Sequence, residues 1–346
     1  MNLRRLGTVI ALELTQRVRS VAWYVLLGVF AVLLLAVTLL TFAAAGGQPD
    51  SGGNVYSVIV YIVLLLVVLV SPTLAGNAIN GDRDAATLAP VQVTLTTTPE
   101  IVIGKLIAAW IAGLAFVVVA IPFVVVAVIA GGVSPLTALV SALVLILEIG
   151  VVAAIGVGLS GILSRPLFSV ASTYLVVAAL VIGTVIAFGL SGLASQTQVT
   201  VHSRDVIYDD QGNATDQCGQ WSTDTYDQPR FDRVWWMLAP NPFVILSDAT
   251  PARFESAGYP LDAFSGLKLA VRQAQIPPKS VEHYDGCKAG GDVPPETEPF
   301  KVLAETTPSW AVGVAIQLVL AGGLMLWGGM RTRTPARRLA RGSRIA

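Results

Sequence analysis

The sequence predicts an all-α integral membrane protein with six transmembrane helices. Of its 346 residues, 54% are hydrophobic and only 13% are charged, whereas a soluble domain has about 25% charged residues. The mean hydropathy is +0.70, and several apolar stretches are long enough to cross a hydrocarbon core of about 30 Å. This composition argues against a soluble enzyme, a disordered chain and a nucleic-acid-binding protein.

Six apolar stretches predict the spans, since a span needs about 20 mostly apolar residues. They are Val21–Ala45, Val55–Ile79, Ile101–Ala130, Leu136–Leu163, Leu167–Ala194 and Trp310–Met330. Arg165-Pro166 separates the fourth and fifth stretches, and Pro122 in the third is tolerated where neighbouring helices cover the backbone. The predicted regions are residues 1–20, spans one to five in 21–194, a polar region in 195–309, span six in 310–330 and a basic tail in 331–346.

The charges of the short loops predict that both termini are cytoplasmic. Basic residues occur at the N-terminus, in the second and fourth loops and in the tail, whereas the first and third loops have none. Basic loops remain on the cytoplasmic side, so the even number of spans and the charges agree. No cleavable signal peptide is predicted, because the first apolar run is span-length and no cleavage site follows it. We expect a multi-pass protein of a bacterial cytoplasmic (inner) membrane.

Residues 1–20 predict an amphipathic helix on the cytoplasmic membrane surface. Leu3, Leu6, Ile10 and Leu14 recur at helical spacing, and the arginines are turned away from them. The alternative is a frayed extension whose arginines only set the orientation.

The polar region 195–309 carries nine basic and sixteen acidic residues, and span parity predicts that this mixed domain is extracytoplasmic. Cys218 and Cys287 are the only cysteines of the chain and are the only possible disulfide pair in an oxidising compartment. A bridge closing a loop of about 70 residues stabilises a fold by about 4 kcal/mol on the chain-entropy model. Two unpaired thiols are the alternative.

One stretch of the polar region, residues 234–248, is unusually apolar. It is too short and too often broken by proline to span a membrane. Paired tryptophans such as Trp235 and Trp236 favour a membrane interface, which predicts an interfacial or re-entrant element that includes Asn241 and Pro242. An ordinary core strand or helix of the polar domain is the alternative.

Motifs for nucleotide, metal and protease chemistry are missing or incomplete. Lys105 follows Gly104 but lacks the phosphate-binding glycine loop of a Walker A motif, and the two histidines and two cysteines lack ligand spacing. Residues 158–161 and 189–192 match the GxSG of rhomboid-type proteases, but no span holds a histidine to serve as base. Small residues that let helices approach closely are the simpler explanation. We therefore predict no cofactor and no enzyme activity in this chain.

Glu148 lies near the middle of the fourth span, where an ionised carboxylate costs at least a few kcal/mol. Intramembrane acids usually face a cavity, so a role in a substrate path or proton relay is one hypothesis. The other is a protonated glutamate that is hydrogen-bonded to a neighbouring helix. Gln317 in the sixth span is the only comparable polar side chain deep in the predicted spans.

The loop between spans two and three carries the most specific pattern of the sequence. Its elements are Asp82-Arg83-Asp84, Thr87-Leu88, Pro99 and Gly104-Lys105. This pattern resembles the coupling loop of the type-two ABC export permeases, here residues 80–100. Exposed charges on a short helix can also dock electrostatically on a soluble partner. A solvated loop that only contributes to charge balance is the alternative.

Other segments are similar to the same family. Residues 1–20 resemble its connecting helix, and Asn241-Pro242 resembles the Asn-Pro that follows span five near re-entrant helices. The sequence departs from the family in having Asp where Glu is usual, Ala86 where Gly is common, and a much larger external segment.

The resemblance implies a permease subunit of an ATP-driven exporter. It implies docking on a separate ATP-binding subunit that holds ATP-Mg, and a second permease copy, identical or related, that shares the substrate path. Membrane lipids are the remaining expected partner, and a lipid, drug or peptide substrate fits the apolar spans equally well. The alternatives are an ion-coupled secondary transporter with Glu148 as coupling site, and a membrane-anchored sensor or scaffold that presents the polar domain.

Overall fold

Long helices dominate the structure, a computed structural model that describes residues 2–45, 52–85, 97–208, 211, 214–255, 258–287 and 299–332. The helices are α1 Leu3–Val18, α2 Val21–Ala45, α3 Gly52–Ala75, α4 Asn80–Asp84, α5 Thr98–Ile129, α6 Pro135–Ile162, α7 Pro166–Ala178, α8 Thr184–Ala194, α9 Pro242–Ala249, α10 Ala263–Gln273, α11 Pro299–Glu305 and α12 Ser309–Thr332, with a π-helical turn at Ala179–Gly183 between α7 and α8. The strands are β1 Gln196–Arg204, β2 Val206–Tyr208, β3 Ala214–Cys218, β4 Ser222–Pro229 and β5 Val281–Asp285.

Six helical stretches of the described residues are long and apolar enough to cross a membrane, which confirms the predicted number of spans. They are α2, α3 with α4, α5, α6, α7 with α8, and α12. The second and fourth spans are the most buried of the six, and Ile59, Phe116 and Ile149 are among the fully buried side chains between the second, third and fourth. Large apolar side chains on the outward faces are exposed, as expected for helices that face lipid.

A turn interrupts the helix of the second span near its end. Helix α3 stops at Ala75 instead of continuing to Ile79, and a turn then leads into α4. Ser160 Oγ on α6 accepts hydrogen bonds from Ile79 N at 2.9 Å and Asn80 N at 3.0 Å. Because this side chain satisfies backbone donors that the broken helix leaves unpaired, the chain can turn there.

Close helix contacts explain the first of the two GxSG motifs. A Cβ placed on Gly161 would lie 2.8 Å from Gly328 Cα, and one on Gly158 would lie 2.7 Å from Leu324 C. The fourth and sixth spans therefore touch backbone to backbone, which confirms the small-residue interpretation there. At the second motif, nothing lies within 4 Å of a Cβ on Gly189, whereas a Cβ on Gly192 would collide with the Phe231 ring of the polar region.

The polar region, which we call the insert domain (residues 195–309), contains both strands and helices. Strands β4, β1 and β5 form a sheet in that order, antiparallel between β1 and β4 and parallel between β1 and β5, and β2 pairs with β3. A disulfide joins Cys218 to Cys287 with Cα atoms 6.0 Å apart, within the usual range. The predicted cysteine pairing is confirmed.

The helix predicted for residues 1–20 is present as α1, but its faces differ from the prediction. Leu6 is buried, whereas Leu3 is 77% exposed. Leu6 and Val9 pack on Gly104 of α5, where a Cβ would lie 2.7 Å from Val9 Cγ1. The third span therefore covers part of the apolar face of α1.

Candidate functional site

One cluster of charges lies at the end of the bundle where α1 packs. Lys105, near the start of α5, has a side chain only 3% exposed; its Nζ lies 2.7 Å from Asp82 Oδ2 and also contacts Glu13 Oε1 of α1. A buried ammonium group is tolerated only when it is paired. The two carboxylates therefore make the buried lysine possible, and the three side chains connect α1, α4 and α5.

Arg83 is turned toward the bundle. Its Nη2 donates to Gly161 O at 3.3 Å and lies 3.5 Å from Thr332 Oγ1. A guanidinium group at the C-terminal ends of helices is favourable, because those ends carry unpaired carbonyls and partial negative charge. Arg83 thus links α4 to the ends of the fourth and sixth spans.

Of the predicted docking acids, Asp84 is the exposed one. It ends α4, whereas Asp82 is occupied by Lys105. Thr87 and Leu88 lie outside the described residues.

The third span starts with a capped helix N-terminus. Glu100 Oε2 accepts a hydrogen bond from Thr97 N at 2.8 Å, and its Oε1 accepts one from Asn2 N at 2.6 Å. Pro99 lies in the first turn, where backbone N–H groups have no acceptor within the helix. The N–H that proline lacks therefore costs no helical hydrogen bond. Pro99 also lines an apolar cleft of about 380 Å³ against the sixth span.

The N-terminal helix has a further polar contact with the bundle. Arg17 Nη2 donates to Leu74 O, near the end of α3, at 2.7 Å. Burial lowers the pKa of Arg17, and the charge of Glu13 raises it in part. With Asn2–Glu100 and Glu13–Lys105, this bond holds α1 against both the second and the third span.

A second polar cluster lies in the middle of the bundle. Glu148 has no exposed surface, and its carboxyl oxygens have no hydrogen-bond partner among the described residues. Its polar neighbour is the Gln317 amide of α12, which is also fully buried. Gln317 Nε2 donates to Pro240 O of the insert domain at 3.0 Å. The structure therefore brings the two predicted residues together and adds a third group that the sequence did not indicate.

Asn241 fixes the same stretch of the insert domain to the fifth span. Its Nδ2 donates to Val181 O at 2.8 Å and to Thr184 Oγ1 at 3.0 Å, while its Oδ1 accepts from Phe243 N and caps α9. Val181 lies in the π-helical turn. Asn241 therefore joins the start of α9 to this turn of the fifth span.

These contacts lie deep along the helices. Thr184 is ten residues before the end of α8, or about 15 Å along its axis. Gln317 is eight residues after the start of α12, or about 12 Å. Residues 239–241 therefore contact the fifth and sixth spans well inside the helices and not at their ends.

The apolar stretch 234–248 forms a short 3₁₀ turn at Trp235–Met237 and then α9, which begins at Pro242. Trp235 is half-buried and Trp236 is 50% exposed. A Cβ on Gly313 of α12 would lie 2.1 Å from Ala239 O, so the stretch touches the sixth span directly. Beside it, a cleft of about 480 Å³ opens between the fifth and sixth spans and includes Trp236 and Pro240 in its lining.

A buried ion pair positions α9, and the sequence did not indicate this pair. Arg272 Nε donates to Asp248 Oδ1 at 2.7 Å, and Asp248 Oδ2 accepts from Trp310 N at 3.0 Å at the start of α12. The two side chains are 5% and 0% exposed. Burial lowers the pKa of the nearby Lys268, with Asp248 acting in the opposite direction. A carboxylate that accepts an N–H at the start of a helix satisfies one of its unpaired donors.

The two histidines of the chain are neighbours in the insert domain. His202 on β1 and His283 on β5 stack with ring centroids 4.9 Å apart, and His202 Nδ1 lies 2.8 Å from Thr223 Oγ1. The part of the chain that the structure describes holds no group of three or more His, Cys, Asp or Glu that could bind a metal ion.

Comparison with known proteins gives no relative: no protein-family model matches the chain, and no curated protein matches it significantly. The two polar clusters are therefore interpreted from their chemistry and from the sequence pattern alone.

Proposed function

We propose that the chain is the transmembrane permease subunit of an ATP-driven exporter, coupled to a separate ATP-binding subunit through the loop between spans two and three. The observation that carries this proposal is the ion-pair cluster in which Lys105 joins Glu13 and Asp82. A coupling loop must move together with its spans, and these ion pairs tie α1, α4 and α5 into one unit.

The contacts of α4 narrow the proposed docking surface. Asp82 and Arg83 are engaged within the chain, whereas Asp84 is exposed at the end of α4. Electrostatic docking depends on charges that can reach the partner. Asp84 is therefore the acid that we assign to the partner, and Asp82 and Arg83 position it.

The remaining parts of the proposal follow from the resemblance. ATP-Mg is held by the partner subunit, and a second permease copy completes the path in a bacterial cytoplasmic membrane, with the insert domain outside. The re-entrant role of residues 234–248 is supported by the depth at which Pro240 and Asn241 contact the sixth and fifth spans.

The first test is whether a neighbouring reading frame encodes a soluble protein with a Walker A motif, and the second is whether that protein co-purifies with this chain. Asp84→Lys should abolish the complex because it reverses an exposed charge, and Glu305→Lys, an equally exposed acid of the insert domain, should leave it intact. A complex that survives Asp84→Lys overturns the docking surface. The absence of a complex with the wild-type chain favours the sensor or scaffold function.

The second candidate function, ion-coupled transport, is favoured by one observation, the buried Glu148 beside Gln317. Intramembrane acids often belong to ion pathways. In vesicles containing the chain alone, transport that a protonophore abolishes and that needs no ATP-binding partner supports this candidate over the first. Transport that requires ATP and the partner rejects it.

A further inference from the structure

The mid-bundle cluster has three buried oxygens that no described donor satisfies: Glu148 Oε1, Glu148 Oε2 and Gln317 Oε1. A buried acceptor without a donor is costly. The two side chains are neighbours, so a single hydrogen between them removes much of this cost.

The orientation of the Gln317 amide follows from its other partner. Pro240 O can only accept a hydrogen bond, and Gln317 Nε2 lies 3.0 Å from it. A flipped amide would place two acceptors against each other. Oε1 is therefore the remaining acceptor of the amide.

Charges on the surrounding elements give Glu148 no counter-ion. The titratable groups of the described elements that pack on α6 are Tyr56 and Tyr61 of α3, Glu100 and Lys105 of α5, Tyr174 of α7, Asp248 of α9 and Arg331 of α12. Lys105 is paired with Glu13 and Asp82, and Asp248 with Arg272. Arg331 lies in the last turn of α12, far along that helix from Gln317.

We propose that Glu148 and Gln317 form a proton-binding site, in which the neutral carboxyl donates to Gln317 Oε1 and thereby fastens residues 239–241 to the fourth span. The resulting chain runs from Glu148 through Gln317 to Pro240 O. It joins α6, α12 and the insert domain, while Asn241 holds the other side of the same stretch to the π-helical turn. Loss of the proton breaks the first link, because a carboxylate cannot donate. The proposal goes beyond ATP-driven export and does not depend on docking at Asp84.

Infrared spectroscopy of the full chain in lipid nanodiscs tests the proton itself. We expect a protonated-carboxyl C=O band that shifts in D₂O, is missing in Glu148→Gln, and moves to higher frequency in Gln317→Leu because its acceptor is gone. If the spectra of the wild type and Glu148→Gln do not differ in this band, Glu148 is ionised in the wild type and the proposal is overturned.

Hydrogen–deuterium exchange of residues 234–249 tests whether the hydrogen bond between Glu148 and Gln317 holds residues 239–241 to the fourth span. Glu148→Gln retains a donor for Gln317 Oε1 and should exchange like the wild type, whereas Glu148→Leu should exchange about tenfold faster, the worth of one hydrogen bond. Unchanged exchange in β1 and β4 shows that each variant is folded. Equal acceleration in Glu148→Gln and Glu148→Leu, or acceleration in neither, overturns the fastening.

Discussion

The two polar clusters solve the problem of a buried ionisable group in opposite ways. Lys105 is paired with two carboxylates from other helices, whereas Glu148 has no cation partner among the described residues and faces an amide. Lys105 lies near the start of a span, where polar segments can reach it, and Glu148 lies near the middle. The difference indicates that charge is compensated at the end of this bundle and neutralised at its centre, as the desolvation cost of an ion requires.

The largest effect is expected at the charged cluster. Lys105→Met leaves Glu13 and Asp82 facing each other without a cation and should lower the free energy of unfolding by about 3 kcal/mol, the low end for a broken buried pair. The low end applies because Asp82 is 35% exposed and partly solvated. Chemical unfolding in mixed micelles measures this. The triple variant with Glu13→Gln and Asp82→Asn should recover most of the loss, and a triple variant as unstable as Lys105→Met would contradict the ion-pair explanation.

A smaller effect is expected where the fourth and sixth spans touch. Gly161→Ala forces a Cβ to within 2.8 Å of the backbone of Gly328 and should cost about 1–3 kcal/mol by overpacking. Gly189→Ala in the second GxSG motif meets nothing within 4 Å and serves as the matched control. Since alanine favours a helix more than glycine does, Gly189→Ala should not lower the free energy of unfolding, and an equal fall in both variants would contradict the helix-contact explanation.

The central cluster should respond less to an apolar substitution. Glu148→Leu removes a neutral hydrogen bond and should cost about 0.5–1.5 kcal/mol, well below Lys105→Met measured in the same micelles. A loss for Glu148→Leu as large as that for Lys105→Met would show that Glu148 is a compensated ion and would remove the contrast between the clusters.

The smallest effect is a pH dependence outside the bundle. Hydrogen bonds from Arg230 hold the pKa of Asp232 below its usual range. A depressed folded-state pKa contributes stability above the unfolded pKa, and this stability is lost as the pH falls through the folded value. The free energy of unfolding should therefore fall slightly less steeply with decreasing pH in Asp232→Asn than in the wild type. Identical pH dependences of stability in the wild type and Asp232→Asn below neutral pH would show that the Arg230–Asp232 pair contributes nothing to stability.

Sequence reasoning was most reliable where a physical pattern is local. The six apolar stretches, the helix in residues 1–20 and the cysteine pairing are confirmed by the structure. Composition over about 20 residues decides whether a segment is a span, and a chain with two cysteines has one possible bridge. The turn between α3 and α4 within the second span was not indicated by the sequence, because Ser160 of a distant helix stabilises it.

The contacts that define both clusters could not be derived in the same way. Lys105 and Glu13 are 92 residues apart, and Gln317 and Pro240 are 77 apart. Such pairs depend on how helices pack, and helical spacing within one segment carries no information about them. The sequence did single out Glu148 and Gln317, since charged and amide groups inside apolar spans are costly enough to stand out. It singled out Asp82 and Lys105 through the pattern of the loop between spans two and three.

The position of Asp84 allows the most direct test of the proposed docking. The cysteines of the chain form one disulfide, so Ala85→Cys introduces a single reactive thiol at an exposed position next to Asp84 and leaves that acid in place. We predict that a short thiol–amine cross-linker will join this variant to the purified ATP-binding subunit, and that Glu305→Cys will give no such product. A cross-link from Glu305→Cys, or none from Ala85→Cys in a complex that co-purifies, would contradict docking through the loop between spans two and three.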